Sequence, residues 1–587
     1  MILRLEGARM ARVPYKVLVH RDMRVPMPDG VVLLADRYIP VGAGRAPTVL
    51  VRSPYGRRGM FGLAYGRAFA RHGFQVILQS CRGGFGSGGV ASPLDEQDDG
   101  LATIEWMRAQ PWYGGSFALH GPSYLGHAHW GIAPYAGPDL KAMATQVTAS
   151  QLRDAAYVGG SFALEATLSW STLTSMMNGP LSGAAVFFAP RRTRRAVSSD
   201  RPVGEFDVLA TGRRLPFFQE VLTHHADPDA PFWKKRDHSA TVGEVDAAVT
   251  MTGGWYDVFL PWQLQDYAAM RAAGRQPHLT IGPWHHADVR HGRLATLDAL
   301  AWFRAHLLGD SSDLRESPVR VYVTGAGEWR DYADWPIPGS REQRWHLQAG
   351  HGLGPGGPAD GEPDLFRFDP ASPTPVMGGP TLLGNSAPRD NRRLERRPDV
   401  LVYTGEVLRE DLDVIGPVTA EMYVRTGTGY ADLVVRVCDV HPDGTSLNVC
   451  EGCGGWPPAR PPAARTACAG PRWSCGRSRT ASSAATGCGC RWRAAPTRGW
   501  RVTSAQGASG HRPRVGPGGA GGVPRPGPSV GGRAAARDRL TTRPAGAAHR
   551  ADKAVRRLVS LTRTERNYAS PIRLTRLNSL NRAVKPH

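Results

Sequence analysis

Short apolar runs alternate with stretches of helical spacing over the first 150 residues. Residues 31–38 and 48–51 read as strands, 63–72 as a helix and 74–79 as a further strand. Residues 96–110 place Leu101, Ile104 and Met107 on one helical face. A strand over 117–120 runs into Gly121, and 124–133 predicts the helix after it. Such alternation predicts an α/β fold whose sheet is largely parallel, with helices on its faces. From 151 to 242 the strand signals fade and helix-like stretches at 162–177 and 217–225 take over, which reads as an inserted helical cap. Strands at 247–252 and 278–281 and helices at 262–273 and 294–308 then resume the first pattern. Beyond about 340 the runs at 400–403, 418–424 and 433–440 are strand-like and punctuated by Gly, Pro and Asp. The predicted organisation is a core of 1–150 and 243–339, a cap of 151–242, and an all-β domain of 340–452.

The remainder does not fit this picture. Of the 98 residues from 453 to 550, 66 are Ala, Gly, Pro or Arg, with no Ile, Met, Phe or Tyr and a single Leu, Leu540. Such a segment buries too little apolar surface to offset its ordering entropy. Charge divides at the same place. The formal net charge of +21 suggests a nucleic-acid or membrane binder, yet 26 Lys and Arg against three acids lie beyond residue 452. The first 452 residues hold 46 basic and 48 acidic groups and are near neutral. Cysteines are few (Cys81, Cys438 and Cys450, then Cys453, Cys468, Cys475, Cys488 and Cys490), which argues against a disulfide-built secreted fold. The first residues are too polar for a secretory signal, and no run approaches 18 uncharged apolar residues. A soluble cytoplasmic protein with no membrane partner is expected.

Candidate chemistry begins at Gly121-Pro122-Ser123-Tyr124-Leu125-Gly126, between a predicted strand and helix. A serine hydroxyl needs a base, and a tight turn that projects it toward base and substrate. The common elbow has its second glycine two residues after the serine, whereas here it is three after, at Gly126. A strand-to-helix turn capped by Ser123 is the plainer reading of this segment alone. Two further loops favour catalysis. Gly254-Trp255-Tyr256-Asp257 and Gly282-Pro283-Trp284-His285-His286 each follow a predicted strand. That reproduces the Ser, Asp, His order of α/β-hydrolases, at strand ends where open sheets build their sites.

These loops resemble those of the cocaine-esterase-like (CocE/NonD) hydrolases, relatives of the X-Pro dipeptidyl-peptidases. So do residues 21–40, Arg52-Ser53-Pro54-Tyr55, the glycine-rich segment from Cys81 to Gly89, Glu105-Trp106, Gln110-Pro111-Trp112, and Glu328-Trp329-Arg330 with Asp334-Trp335-Pro336. The resemblance runs from about residue 17 to 452 and implies a hydrolase core, a helical cap and a C-terminal β jelly roll. It implies Ser123 as nucleophile, His286 as general base and Asp257 as the acid that orients it, with His285 as the nearest rival base. It further implies an oxyanion hole of the Tyr55 hydroxyl and the Tyr124 N–H, and acyl-pocket walls at Trp170 and Phe259, for which ordinary core packing is the plainer reading. The implied reaction is acyl transfer from a small-molecule ester or amide, with no metal or organic cofactor. An X-Pro dipeptidyl-peptidase or an amino-acid ester hydrolase is the nearest alternative, but each needs acidic groups to hold a free α-amine. A homodimer is left open.

The likeness breaks after Glu451-Gly452. A shift of reading frame near Gly452 is expected, leaving an incomplete jelly roll with uncovered sheet edges. The alternative of another class is an inactive or unstable product whose basic tail binds nucleic acid, although it carries no recognisable module. Cys450 and Cys453 with Cys488 and Cys490 lack the spacing of a zinc site.

Overall fold

The computed structural model describes residues 14–177, 185–225, 227–357, 361–384, 386–426, 431–456, 479–492, 499–505 and 571–577. Strands β1 (Val17–Pro26) and β2 (Val32–Pro40) form an antiparallel pair at one side of the main sheet. They are followed by β3 (Thr48–Ser53), β4 (Gln75–Ser80), β5 (Phe117–Pro122) and β6 (Leu140–Gln146). The order opens β1-β2-β4-β3-β5-β6 and is parallel from β4 onward. Every residue of β3 and β4 is buried, as a parallel sheet covered on both faces requires. Leu50, Ile77, Leu119 and Met143 feed one apolar layer, while Val49, Val51, Val76 and Leu78 feed the other. The sequence reading missed β6. Its Ala, Met and Lys residues carry little strand preference, and pairing to β5 overrides it.

The helices Leu164–Met177, Ala185–Val197, Phe206–Thr211 and Pro216–Thr223 follow β6. They close their own apolar cluster around Leu168, Phe206 and Phe218. A hairpin of β7 (Tyr157–Val158) and β8 (Ser161–Phe162), unexpected from the sequence, precedes them. The sheet then resumes with parallel β9 (Ala248–Tyr256), β10 (His278–His285) and β11 (Val319–Val323), and ends on antiparallel β12 (Glu328–Tyr332).

A closed barrel follows. Its strands are β13 (Ser340–Gln348), β14 (Gly352–Gly354), β15 (Leu401–Val407), β16 (Leu412–Val424), β17 (Ala431–Val440), β18 (Ser446–Trp456), β19 (Arg479–Trp492), β20 (Gly499–Ala505) and β21 (Pro571–Leu577). The last three lie beyond residue 452, where the sequence reading assigned a basic low-complexity tail. β19 runs along β16, β20 lies between β15 and β17, and β21 pairs with β13 and β16. Ladder hydrogen bonds are made by backbone groups, so β19, rich in Ala, Gly, Ser and Thr, leaves no apolar signature. Arg330 of β12 reaches Asp413 of β16 at 2.8 Å and ties the barrel to the sheet.

Candidate active site

Ser123 stands between the end of β5 and the helix Tyr124–Trp130, with φ 53° and ψ −127°. A positive φ is strained for a residue with a Cβ, so its surroundings must hold it there. The Ser123 N–H donates to Gln146 O at 2.8 Å. Its carbonyl accepts from His127 N–H at 3.0 Å and from Thr148 Oγ1 at 2.6 Å. The displaced second glycine also has its explanation here. A Cβ on Gly121 would meet Leu125 Cβ at 2.4 Å, and one on Gly126 would meet Thr148 Cγ2 at 2.5 Å and Gly121 O at 2.8 Å. The close approach thus falls at the third residue after the serine, because Gly126 is the one that packs against Gly121.

His286 follows β10, and its Nε2 lies 3.0 Å from Ser123 Oγ. Its Nδ1 lies 2.7 Å from Oδ2 of Asp257, which follows β9 and is fully buried. Asp257 Oδ1 accepts the Phe259 N–H at 2.8 Å, so both carboxylate oxygens are engaged and the group cannot swing. The Phe259 ring meets the His286 ring edge-on, 5.3 Å between centroids. None of these contacts involves His285, whose burial lowers its pKa.

Tyr55, whose ring meets the Tyr124 ring edge-on at 6.2 Å, accepts the Trp170 Nε1–H on its Oη at 2.9 Å, a bond that does not use the hydroxyl proton. Burial pushes the Tyr55 pKa up to about 12, so the donor persists across the neutral range. Tyr124 opens its helix, where an N–H has no intrahelical acceptor. Its side chain is pinned: Oη donates to Glu96 Oε1 at 2.7 Å and accepts the Leu94 N–H at 2.9 Å. Glu96 is paired at 2.8 Å with the fully buried Arg52, which gives the Arg52-Ser53-Pro54-Tyr55 segment a structural anchor.

A cavity of about 90 Å³ opens on Ser123, with Tyr124, Trp170, Phe217, Phe259 and Leu382 among its walls. Among the described residues no carboxylate lines it. His127 does, and burial pulls its pKa down to about 3, leaving it neutral. All seven residues named from the sequence therefore gather at one place. His127, Phe217, Leu382 and the Glu96 carboxylate that holds Arg52 were missed, since nothing in the sequence shows which distant segment each of them meets. Among the described residues no group of three or more His, Cys, Asp or Glu side chains is placed to hold a metal. Cys450 and Cys453 lie on β18, and the side chains of Cys488 and Cys490 fall outside the described residues.

A hydroxyl, an imidazole and a carboxylate in one hydrogen-bonded row, at the carboxyl ends of parallel strands, is the arrangement of a serine hydrolase on an α/β-hydrolase core. Residues 29–288 match the model of the X-Pro dipeptidyl-peptidase (S15) family, and 314–459 match that of the X-Pro dipeptidyl-peptidase C-terminal non-catalytic domain. The cocaine esterase of Rhodococcus sp. (strain MB1 Bresler) is 32% identical over 477 residues, covering 74% of this chain and 82% of that one. Two solved structures share the fold. An aminopeptidase from the marine sediment archaeon Thaumarchaeota archaeon has TM-score 0.70 at 21% identity, over 84% of this chain and 89% of its own. An α-amino acid ester hydrolase has TM-score 0.66 at 20% identity, over 86% and 92%. The chain belongs to the cocaine-esterase-like (CocE/NonD) hydrolases, the family its loops resemble. It is a serine hydrolase that cleaves an acyl ester or amide through an acyl-enzyme. Among the described residues no helix is long and apolar enough to cross a membrane.

Proposed function

We propose that Ser123, His286 and Asp257 carry this reaction, and that its substrates are small esters of uncharged, apolar acids. The supporting observation is the unbroken row from Ser123 Oγ through His286 to Asp257, at 3.0 and 2.7 Å. Ser123 Oγ attacks the acyl carbonyl and its proton passes to His286 Nε2. The resulting imidazolium is stabilised by Asp257 and returns the proton to the departing alkoxide or amine. Water then attacks the acyl-enzyme, again through His286. The oxyanion formed in each half is received by the Tyr55 hydroxyl and the Tyr124 N–H, preplaced donors of the kind that stabilises tetrahedral intermediates.

The apolar walls favour an uncharged acyl group. A dipeptidyl-peptidase or amino-acid esterase must pair a substrate ammonium with an acid, and a buried unpaired charge is costly. Among the described residues the cavity walls supply no such acid. Cys81, Cys450 and Cys453 form no disulfide among the described residues, which fits a reducing compartment, and we assign the enzyme to the cytoplasm. The test is a panel of nitrophenyl acyl esters, amino-acid esters and X-Pro amides on the purified chain and on Ser123→Ala. Turnover of the acyl esters that vanishes in the variant is expected. Undiminished turnover in folded Ser123→Ala, or a preference for X-Pro amides, overturns the reading.

A further inference from the structure

We infer that Glu165 is a positioning residue that sets acyl selectivity by clasping the wall-forming Leu382 onto the cap. Glu165 sits in the first turn of the helix Leu164–Met177. Its Oε2 accepts the Leu382 N–H at 2.9 Å and its Oε1 accepts the Leu383 N–H at 3.2 Å. Ser169 Oγ, one turn along the same helix, adds a third donor at 3.3 Å. One carboxylate thus holds two successive backbone amides from a segment more than 200 positions away. Hydrogen bonds from an ionised acceptor are among the stronger ones available to a protein.

The clasped segment is a compact turn. Thr381 Oγ1 and Ser386 Oγ meet at 2.6 Å, and Ser386 Oγ also donates to Thr381 O at 2.9 Å. These bonds shape the turn but do not fasten it to the cap. Leu382 is buried and lines the cavity. The Glu165 carboxylate restrains its backbone against the cap. The same helix carries Trp170, another cavity wall, which is tied to Tyr55 at 2.9 Å. One helix accordingly sets the spacing of two walls of the pocket. Both Glu165 oxygens already accept protein donors.

This inference rests on the cavity being the acyl pocket. Its test compares kcat/KM for p-nitrophenyl hexanoate and p-nitrophenyl acetate in the wild type, Glu165→Gln, Glu165→Ala, Leu382→Ala and the Glu165→Ala/Leu382→Ala pair. The hexanoate-to-acetate ratio falls about tenfold in both single alanine variants, the scale on which one apolar pocket contact discriminates. It falls no further in the double variant, since both changes remove the same wall. Loss of general stability would lower both substrates together and leave the ratio alone. An unchanged ratio in folded Glu165→Ala, or a loss in Glu165→Gln confined to amino-acid esters, overturns the inference. Ester turnover that survives Ser123→Ala instead overturns the parent reading, so the two failures are separable.

Discussion

Gly126→Ala adds one methyl group at the tightest point of the elbow. Its Cβ would stand 2.5 Å from Thr148 Cγ2 and 2.8 Å from Gly121 O. Carbon atoms settle at about 3.5–4.0 Å from one another, so Thr148 must retreat by about 1 Å. It is not free to do so, because its Oγ1 donates to Ser123 O at 2.6 Å. Gly121 O belongs to the backbone of β5 and has no rotamer to change. Overpacking of this kind costs about 1–3 kcal/mol. The strain falls on Gly121 and, through Thr148, on Ser123, which lie on the two sides of the turn. Ser123 Oγ is therefore displaced from His286 Nε2, and a displacement of about 1 Å at reacting atoms costs about a hundredfold in rate. We expect kcat for a nitrophenyl ester to fall about that far, with a smaller change in KM and a lowered melting temperature. Adding Thr148→Ser removes the methyl contact but keeps the hydroxyl, and recovers part of the rate. The Gly121 O contact keeps the rest from returning. A folded Gly126→Ala enzyme with wild-type kcat would refute the argument that Gly126 is required at this position.

Tyr55→Phe removes one proposed oxyanion donor and orphans the Trp170 N–H, and kcat should drop about 10²–10³-fold in steady-state assays; a drop below threefold would exclude the hydroxyl from the oxyanion hole. Burial raises the Asp266 pKa from 3.8 to about 7 against its hydrogen bonds from Ser150. A folded pKa above the unfolded one contributes stability that is complete below about pH 4 and lost as pH rises through about 7, so Asp266→Asn should flatten that part of the urea-midpoint profile relative to the wild type; parallel profiles would reject it. Resequencing the gene around codon 452 should reveal a shifted frame, and a chain with the frame restored should melt higher than this one; an intact frame, or equal melting of the two chains, rejects the shift.

Much of the site was legible because its chemistry follows visible strands. Ser123, Asp257 and His286 each come directly after an apolar run, and the order of the three loops already implied convergence at one sheet edge. Gly126 was visible but read as a departure, since only its contact with Gly121 explains the spacing. Leu94, Phe217 and Leu382 were not legible at all. Each is an ordinary apolar residue whose role depends on which distant segment it meets. Glu96 and Glu165 look like surface acids of helix starts, and only the buried Arg52 and the Leu382 amide show otherwise. β19 was hidden for a different reason, because backbone pairing needs no apolar alternation.

Chemistry and selectivity are drawn from different parts of the chain. The proposed nucleophile, base and acid all stand at the ends of strands β5, β9 and β10, within one sheet whose two apolar layers hold them rigid. The walls around the substrate are borrowed: Trp170 and Phe217 come from the cap, and Leu382 comes from the approach to the barrel. The barrel also touches the cap where Asp432 of β17 accepts Ser161 Oγ at 2.8 Å, a contact buried enough to raise that acid's pKa to about 6. The match to the C-terminal domain stops at residue 459, just beyond the change of composition. Damage to the barrel therefore reaches the active site through Leu382 and the cap, not through the strands that carry the triad. An altered tail should first blur acyl selectivity and lower stability, while the intrinsic rate on the smallest acyl group follows the state of the sheet.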